Sequence, residues 1–404
     1  MGSGKPDHHL RPMPHIIFWQ NILSPHMSSW VRALAAVHGV RVTVVVQRKM
    51  SAAREAMGWC VPHFGHAVVI TCSDPKELGD LIPDAGDDAV HVVGSMRGGL
   101  LTRRALCELT RRRARIGVIS EGADGGGWRG VVRRCIYRRD RARFATSIDF
   151  LAAMGSYGVD WFAEAGYPAQ KLYPFAYTTE TPPPGAVAPA GRGPTALIYV
   201  GSFLPTKGPD ILLRALGHLQ ELDWVLTMIG GGPLKEDCRR IAHKEGLSGR
   251  VRFIELLKNQ KAILEIGRSD LLVLPSRHDG WGAVVNEALM QGVPVICSDR
   301  CGARDLLQEP WRGEVFRAGS ATSLRETLRH WIPVKRTGPL TNRIRDWSRA
   351  IEGESFASYF LSILDCVYSN APRPTPPWLR AAQELSAGHF SPSSPESASN
   401  RGVW

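Results

Sequence analysis

The amino-acid sequence predicts an α/β protein made of two doubly wound halves facing a central cleft. Three observations carry this. The chain has 404 residues and a mass of 44.4 kDa, more than one hydrophobic core usually organises. Short apolar runs rich in Val and Ile alternate with longer segments of helical period, the pattern of parallel strands buried on both faces. The alternation is interrupted once, at TPPPGAVAPAGRGP (181–194), a stretch without period that reads as a linker.

In the first half the expected strands are HIIFWQ (15–20), VRVTVVV (40–46), AVVIT (67–71), AVHVV (89–93), IGVIS (116–120) and IDFLAAM (148–154). Ser24-Pro25 predicts a helix start, with Ser as N-cap and Pro in the first turn. After the linker follow ALIYV (196–200), WVLTMI (224–229), VRFIE (251–255), DLLVLP (270–275), PVICS (294–298) and EVF (314–316). The expected organisation is a flexible start (1–14), a first domain (15–180), the linker (181–195), a second domain (196–340), a long helix (341–369) and a disordered Pro/Ser/Ala tail (370–404). Ligands of such sheets bind beyond the carboxyl ends of the strands.

Composition narrows the function classes. At 44% hydrophobic and 22% charged, with mean hydropathy −0.14, neither a disordered chain nor a polytopic membrane protein fits. No apolar run approaches the roughly 18 to 20 residues of a membrane span, and MGSGKPDHHLRPMPH lacks a signal peptide's apolar stretch, so the expected location is cytoplasmic. Eight cysteines without a CxxC read as reduced, buried hydrophobes.

The densest chemistry lies in PSRHDGWGAVVNEALMQGVPVICSDRCGARD (275–305). A loop carries Asp279-Gly280-Trp281-Gly282, and a helix is expected from about Ala283 to Gln291. Glycines at 280 and 282 let backbone N–H groups approach an anion at the helix start, where a phosphate would fit. Eight residues of helix span about 12 Å, so Asp279 at the mouth and Glu287 deeper in can hold two ends of one elongated ligand. VGSFLPTKG (200–208) is a second strand-to-loop passage, with Lys207 placed to meet a phosphate, and Gly230-Gly231-Gly232-Pro233 follows a third strand. Taken singly, Glu287 also fits a solvated helix residue, Lys207 a loop lysine, and the glycines an ordinary tight turn.

Together, VGSFLPTKGPDILLRAL, MIGGGP and LLVLPSRHDGWGAVVNEALMQGVPVICSD resemble the carboxyl-terminal domain of the retaining nucleotide-sugar glycosyltransferases of the GT-B fold, in glycosyltransferase family 4, over roughly residues 196 to 310. SPHMSSWVRALA (24–35), VISEGADGGGWRG (118–130) and FLAAMGSYGVDWFAEAGYP (150–168) resemble the acceptor-side domain more loosely. The segment around Ile344-Arg345-Asp346-Trp347 resembles the helix that crosses back to it. The resemblance implies two Rossmann-like domains and hexosyl transfer with retention from a UDP- or GDP-sugar to a carbohydrate or lipid-linked acceptor hydroxyl, in surface polysaccharide or lipid-linked oligosaccharide synthesis. No cofactor is implied, and without a DxD motif no metal is demanded.

Carried over by position, the family's pair of glutamates falls on Asp279, facing a hydroxyl of the transferred sugar, and on Glu287, accepting from the donor's ribose. Its Arg and Lys on the diphosphate fall on Ser202 and Lys207. The implied catalytic set is Lys207, Asp279 and Glu287. The implied donor site is Gly201, Ser202, Lys207, Gly231, Gly280, Trp281, Gly282, Ala283 and Glu287. Three positions depart from the pattern. Asp279 is one methylene short, Ser202 lacks the usual charge, and Ser24-Pro25-His26 stands where Gly-Gly is frequent. Arg277 and Arg304 are candidates for the missing cation. His26 and Glu121, at strand ends, are candidates from the first domain, each also readable as a cap or solvated residue. The departures keep a non-catalytic nucleotide- or polyanion-binding protein of the same fold as the alternative. A nucleotide-sugar epimerase and a phosphorylase are further rivals, though no pyridoxal-lysine constellation supports the latter.

The net charge of +12 is concentrated. From Arg103 to Arg143, thirteen arginines face four acidic residues, so this segment holds three quarters of the excess. It reads as a solvated face, as an attraction to anionic lipid or a lipid diphosphate, or as a nucleic-acid surface. Thin aromatic interleaving disfavours nucleic acid, and a peripheral contact with the inner membrane face is the preferred expectation.

Overall fold

The computed structural model describes residues 15–51, 54–55, 59–74, 78–82, 89–181 and 193–380. The expectations for 1–14, most of the linker and 381–404 lie outside these residues. The first domain comprises β1 (His15–Gln20), α1 (Pro25–Ala35), β2 (Arg41–Val46), β3 (Val68–Thr71), α2 (Leu78–Leu81), β4 (Val90–Gly94), α3 (Leu100–Arg112), β5 (Arg115–Ser120), α4 (Gly127–Phe144), β6 (Phe150–Met154), α5 (Gly155–Glu164) and β7 (Leu172–Phe175). The second comprises β8 (Thr195–Val200), α6 (Pro209–Gly217), β9 (Trp224–Ile229), α7 (Lys235–Lys244), β10 (Val251–Ile254), α8 (Asn259–Gly267), β11 (Leu271–Leu274), α9 (Val284–Met290), β12 (Val295–Ser298), β13 (Gly313–Phe316) and α10 (Ala321–Trp331). Helices α11 (Gly338–Ser348) and α12 (Gly353–Ser369) follow.

Both sheets are parallel, ordered β3-β2-β1-β4-β5-β6-β7 and β10-β9-β8-β11-β12-β13. The chain reverses direction across each sheet between β1 and β4 and between β8 and β11, and those switch points are where ligands of open α/β sheets bind. Ser24 caps α1 as its sequence predicts, its side chain accepting from the His26 amide at 3.3 Å.

Four expectations need correction. β7 extends the first sheet by a seventh strand that the apolar pattern does not announce, because LYPF carries Pro174 and only an edge tolerates a residue that cannot donate to the ladder. At the opposite edge β3 is mostly exposed rather than buried on both faces. The expected single helix over 341–369 is two, α11 and α12, separated by Arg349–Ile351. Gly353 opens the second because a Cβ there would sit 2.6 Å from the Ser29 carbonyl oxygen of α1. Finally, residues 370–380, expected to be disordered, are packed. Trp378 is buried and stacks on Phe356 at 5.6 Å, and Arg373 lies over Tyr173 at 4.2 Å. Two aromatic anchors offset a segment composition that otherwise favours disorder.

α12 ties the halves together: Phe360 meets Trp30 at 5.2 Å and Phe150 at 5.9 Å, so a helix entered from the second domain completes the core of the first.

Candidate functional site

Four strand ends converge on the cleft. Lys207 closes the turn Pro205–Lys207 after β8, and its Nζ meets Asp279 Oδ2, after β11, at 2.6 Å. Gly208 holds the two loops together. Its φ of +61° is left-handed, and it packs against the Pro275 carbonyl oxygen, leaving no room for a Cβ. Ser276 Oγ lies 3.5 Å from Asp279 Oδ2, so the ion pair is anchored to the loop rather than free in solvent.

Beyond Asp279 the backbone turns at Gly280. A Cβ added there would collide with the carboxylate of Glu121, which follows β5, so the first domain reaches across the cleft at this point. Gly282 has φ +93° and lies between Cys301 Sγ, 2.7 Å from an added Cβ, and Leu274. Trp281 does not face the cleft with its ring. The indole is buried and its Nε1 donates to Asn286 Oδ1 at 2.8 Å, so only its backbone remains for a ligand. Ala283 leads into α9, which spans seven residues rather than the nine expected over 283–291, so an anion there depends on local N–H groups more than on a macrodipole.

Glu287 is deep, 8% exposed. Burial pushes its carboxyl up to about 7, while a hydrogen bond from Asn259 at the start of α8 pulls the other way. Of the three glycines after β9, Gly230 and Gly232 pack on the backbone of residues 201–203, whereas Gly231 faces open space. Gly201 and Ser202 are held by this packing: the Gly201 amide donates to the Ile229 carbonyl at 3.0 Å and the Tyr199 hydroxyl to the Ser202 carbonyl at 2.8 Å.

The candidate cations for the Ser202 position are committed elsewhere. Arg277 grips Asp210 at 2.7 and 2.9 Å and the Pro205 carbonyl at 2.7 Å, and with Asp210 it lines a separate 510 Å³ cavity between α6 and α7. Arg304 bonds the Asp299 carbonyl at 2.7 Å and Ser156 Oγ at 3.1 Å. Ser156 Oγ also donates to Asp305 at 2.7 Å, which makes this cluster a latch between the domains.

The first-domain wall is aromatic. His26 stacks on Tyr177 at 5.4 Å and meets the edge of Trp59 at 5.1 Å, and Arg54 lies over Trp59 at 4.1 Å. Burial lowers the His26 pKa to about 4, with Arg54 adding to the fall and Asp279 opposing it, so the ring is neutral. Its Nδ1 is enclosed without a hydrogen-bond partner among the described residues. Tyr177 donates to Glu121, whose pKa is nonetheless raised by the protein around it. Asn286 Nδ2 donates to the Tyr177 carbonyl at 3.0 Å, joining α9 to this wall.

Arg54, Trp59 and Tyr177 are not marked in the sequence: Arg54 sits in a helical turn and Trp59 outside any strand or helix, in a stretch that carries no motif, and Tyr177 follows the unannounced β7. Lys235 is also missed. It is buried at the start of α7, with Nζ 2.5 Å from Glu255 and 3.3 Å from the Gly230 carbonyl. Among the described residues no His/Cys/Asp/Glu group is placed to hold a metal, and no helix is long and apolar enough to cross a membrane.

The chain is similar to known proteins in part of its sequence and in its fold. Residues 188–345 match the family model of Glycosyl transferases group 1. The matched stretch holds Lys207, Asp279 and Glu287 together. An uncharacterized glycosyltransferase of Methanocaldococcus jannaschii is 30% identical over 135 residues, 32% of this chain and 36% of the relative. A GDP-mannose-dependent alpha-(1-6)-phosphatidylinositol monomannoside mannosyltransferase of Mycobacterium tuberculosis is 29% identical over 192 residues, 43% of this chain and 50% of the relative. The chain thus spans half or less of the length of these relatives. The Anabaena protein HepE, solved in complex with UDP, superposes with a TM-score of 0.62 at 13% identity, over 87% of this chain and 100% of that one. The fold is GT-B, two Rossmann-like domains about a cleft, as the sequence motifs imply.

Proposed function

We propose that this group 1 glycosyltransferase fold moves a hexose-type sugar from a UDP- or GDP-sugar to an acceptor hydroxyl, with retention and without a metal, in surface polysaccharide or lipid-linked oligosaccharide synthesis. The observation that carries the reading is the contact of Lys207 with Asp279 beside the Gly280 turn, with Glu287 buried in the first turn of the helix that follows and Glu121 opposite. In this reading Glu287 accepts from the ribose, and Lys207 with the N–H groups of Gly280 to Ala283 takes the diphosphate. Asp279 takes a sugar hydroxyl, so donor binding replaces the Lys207–Asp279 ion pair by contacts to substrate.

Breaking the sugar–phosphate bond leaves negative charge on the diphosphate and oxocarbenium character on the sugar. Lys207 and the amides meet the first before it develops, which is preorganised electrostatic catalysis. Arg54 supplies from across the cleft the charge that Ser202 lacks. The acceptor hydroxyl enters on the face of the leaving phosphate, whose oxygen takes its proton, and domain closure excludes water. HepE holds UDP and the mycobacterial relative uses GDP-mannose, which supports a nucleotide donor and leaves both bases in play.

The test is mass spectrometry of the purified full chain with a panel of UDP-, GDP- and ADP-sugars and membrane extract as the acceptor source. Transfer of one sugar unit is expected. Stable nucleotide binding with no turnover on any donor would instead favour the non-catalytic binding protein.

A further inference from the structure

The arginine-rich segment, a single basic surface in sequence, divides into two parts in the structure. α4 turns Gly130, Tyr137, Asp140 and Phe144 inward, onto the core it shares with α3 and α5. Its outward stripe changes character along the axis. Over the first turns it presents Trp128, Val131, Val132 and Cys135, and over the last turns Arg138, Arg139 and Arg143, all exposed. Trp128 is 73%, Val131 59% and Val132 47% exposed.

Several other arginines are engaged within the fold. Arg111 and Arg112 pair with Glu108, Arg133 with Asp124 and Arg134 with Glu164. The neighbouring helix α3, on the same side of the sheet, exposes Leu100 at its start and Arg103 and Arg104 just after. Both helices begin at the carboxyl ends of β4 and β5, the end of the sheet where Glu121 enters the cleft. The apolar patch therefore lies towards the cleft, flanked by Arg129, whose guanidinium lies over the Trp128 ring at 5.4 Å, while Arg138, Arg139 and Arg143 extend away from it.

We propose that this face docks the protein on an anionic lipid surface, with Trp128, Val131 and Val132 in the interfacial layer and Arg138 and Arg139 against lipid phosphate. A soluble polyanion would reward the arginines and gain nothing from two exposed valines. A second copy of the chain would bring two arginine-rich faces together. A lipid surface satisfies both halves of the stripe, because an indole and short aliphatic chains partition into the headgroup boundary while guanidinium groups meet phosphate. The helix then tilts with its cleft end down, and the cleft opens towards the bilayer. Docking stands on this surface alone; only the consequence that a lipid-linked acceptor is presented to Asp279 and Lys207 rests on the proposed activity.

The test is co-sedimentation of the full chain with phosphatidylcholine vesicles, with and without phosphatidylserine. Wild type should bind the anionic vesicles and weaken with added salt. W128S/V131S should lose about tenfold in affinity while keeping its salt sensitivity. R138Q/R139Q should lose roughly as much and become less salt-sensitive. Thermal unfolding of both variants, which alter exposed side chains only, should match wild type. Nucleotide binding should also be unchanged, so failure of docking and failure of the donor reading are separable. Equal recovery on neutral and anionic vesicles would overturn the proposal, as would wild-type binding by both variants. So would a dimer abolished by W128S/V131S, or tighter binding to an oligonucleotide than to vesicles.

Discussion

The two walls of the cleft are built in different ways. The second-domain wall comes from consecutive loops, Gly201–Lys207 and Asp279–Ala283, in which ionic groups and backbone sit within a few residues of one another. The first-domain wall gathers His26, Arg54, Trp59, Glu121 and Tyr177 from four separate stretches of chain, and it is held by ring stacking, one hydroxyl–carboxyl hydrogen bond and a single cation, Arg54, over Trp59. A site for a diphosphate needs amides and a cation at fixed spacing, and short loops supply that. A site for a neutral hydroxyl needs shape and a few hydrogen bonds, which many sequences can assemble.

The contrast predicts unequal consequences of substitution. Lys207→Ala should have the largest effect, a fall in turnover of about 100- to 1,000-fold, because it removes the cation proposed to meet the leaving diphosphate. Steady-state kinetics beside an unchanged melting curve would check it, and near-normal turnover would move the chemistry to the other wall. Gly280→Ala should cost about 100-fold by driving the Glu121 carboxylate aside. Pairing it with Glu121→Ala should restore nucleotide binding; if the double variant binds no better than the single one, the collision is not the cause.

Glu287→Gln should weaken nucleotide affinity about tenfold at neutral pH. The wild-type protein should also bind nucleotide more tightly as pH rises towards about 7 and then level off. Below that pH the empty protein holds Glu287 protonated, and a ribose that donates to a carboxylate must first displace the proton. Calorimetric titration at several pH values is decisive, since Glu287→Gln should flatten this dependence. The smallest effect belongs to Tyr177→Phe, which removes one hydrogen bond to Glu121 and should lower kcat/KM only about threefold to tenfold. Donor affinity should stay constant, and a change in donor affinity instead would erase the division between the walls.

Much of the second-domain wall is legible in the order of the amino acids. Lys207, Asp279 and Glu287 sit at spacings that follow from strand, loop and helix geometry, and their chemistry is written in residue type. Orientation is what spacing does not reveal there. Trp281 turns into the core to reach Asn286, and Arg277 is drawn off by Asp210, because each finds a partner that lies far away or across a turn. The first-domain wall is legible only as His26 and Glu121. Tyr177 follows a proline-containing edge strand, and Arg54 and Trp59 belong to a stretch of sequence without apolar period, so no local signal marks them.

By itself, then, the amino-acid order determined two parallel sheets and the glycine-bearing loops after β8 and β11, since apolar periodicity and glycine placement act over a few residues. Tertiary structure alone decided that Glu121 would stand against Gly280, that α12 and Trp378 would close the first core, and that the arginine-rich helix would turn an apolar stripe outward near the cleft. Those outcomes depend on which distant surfaces meet when the chain folds, and periodicity along the chain carries no record of that.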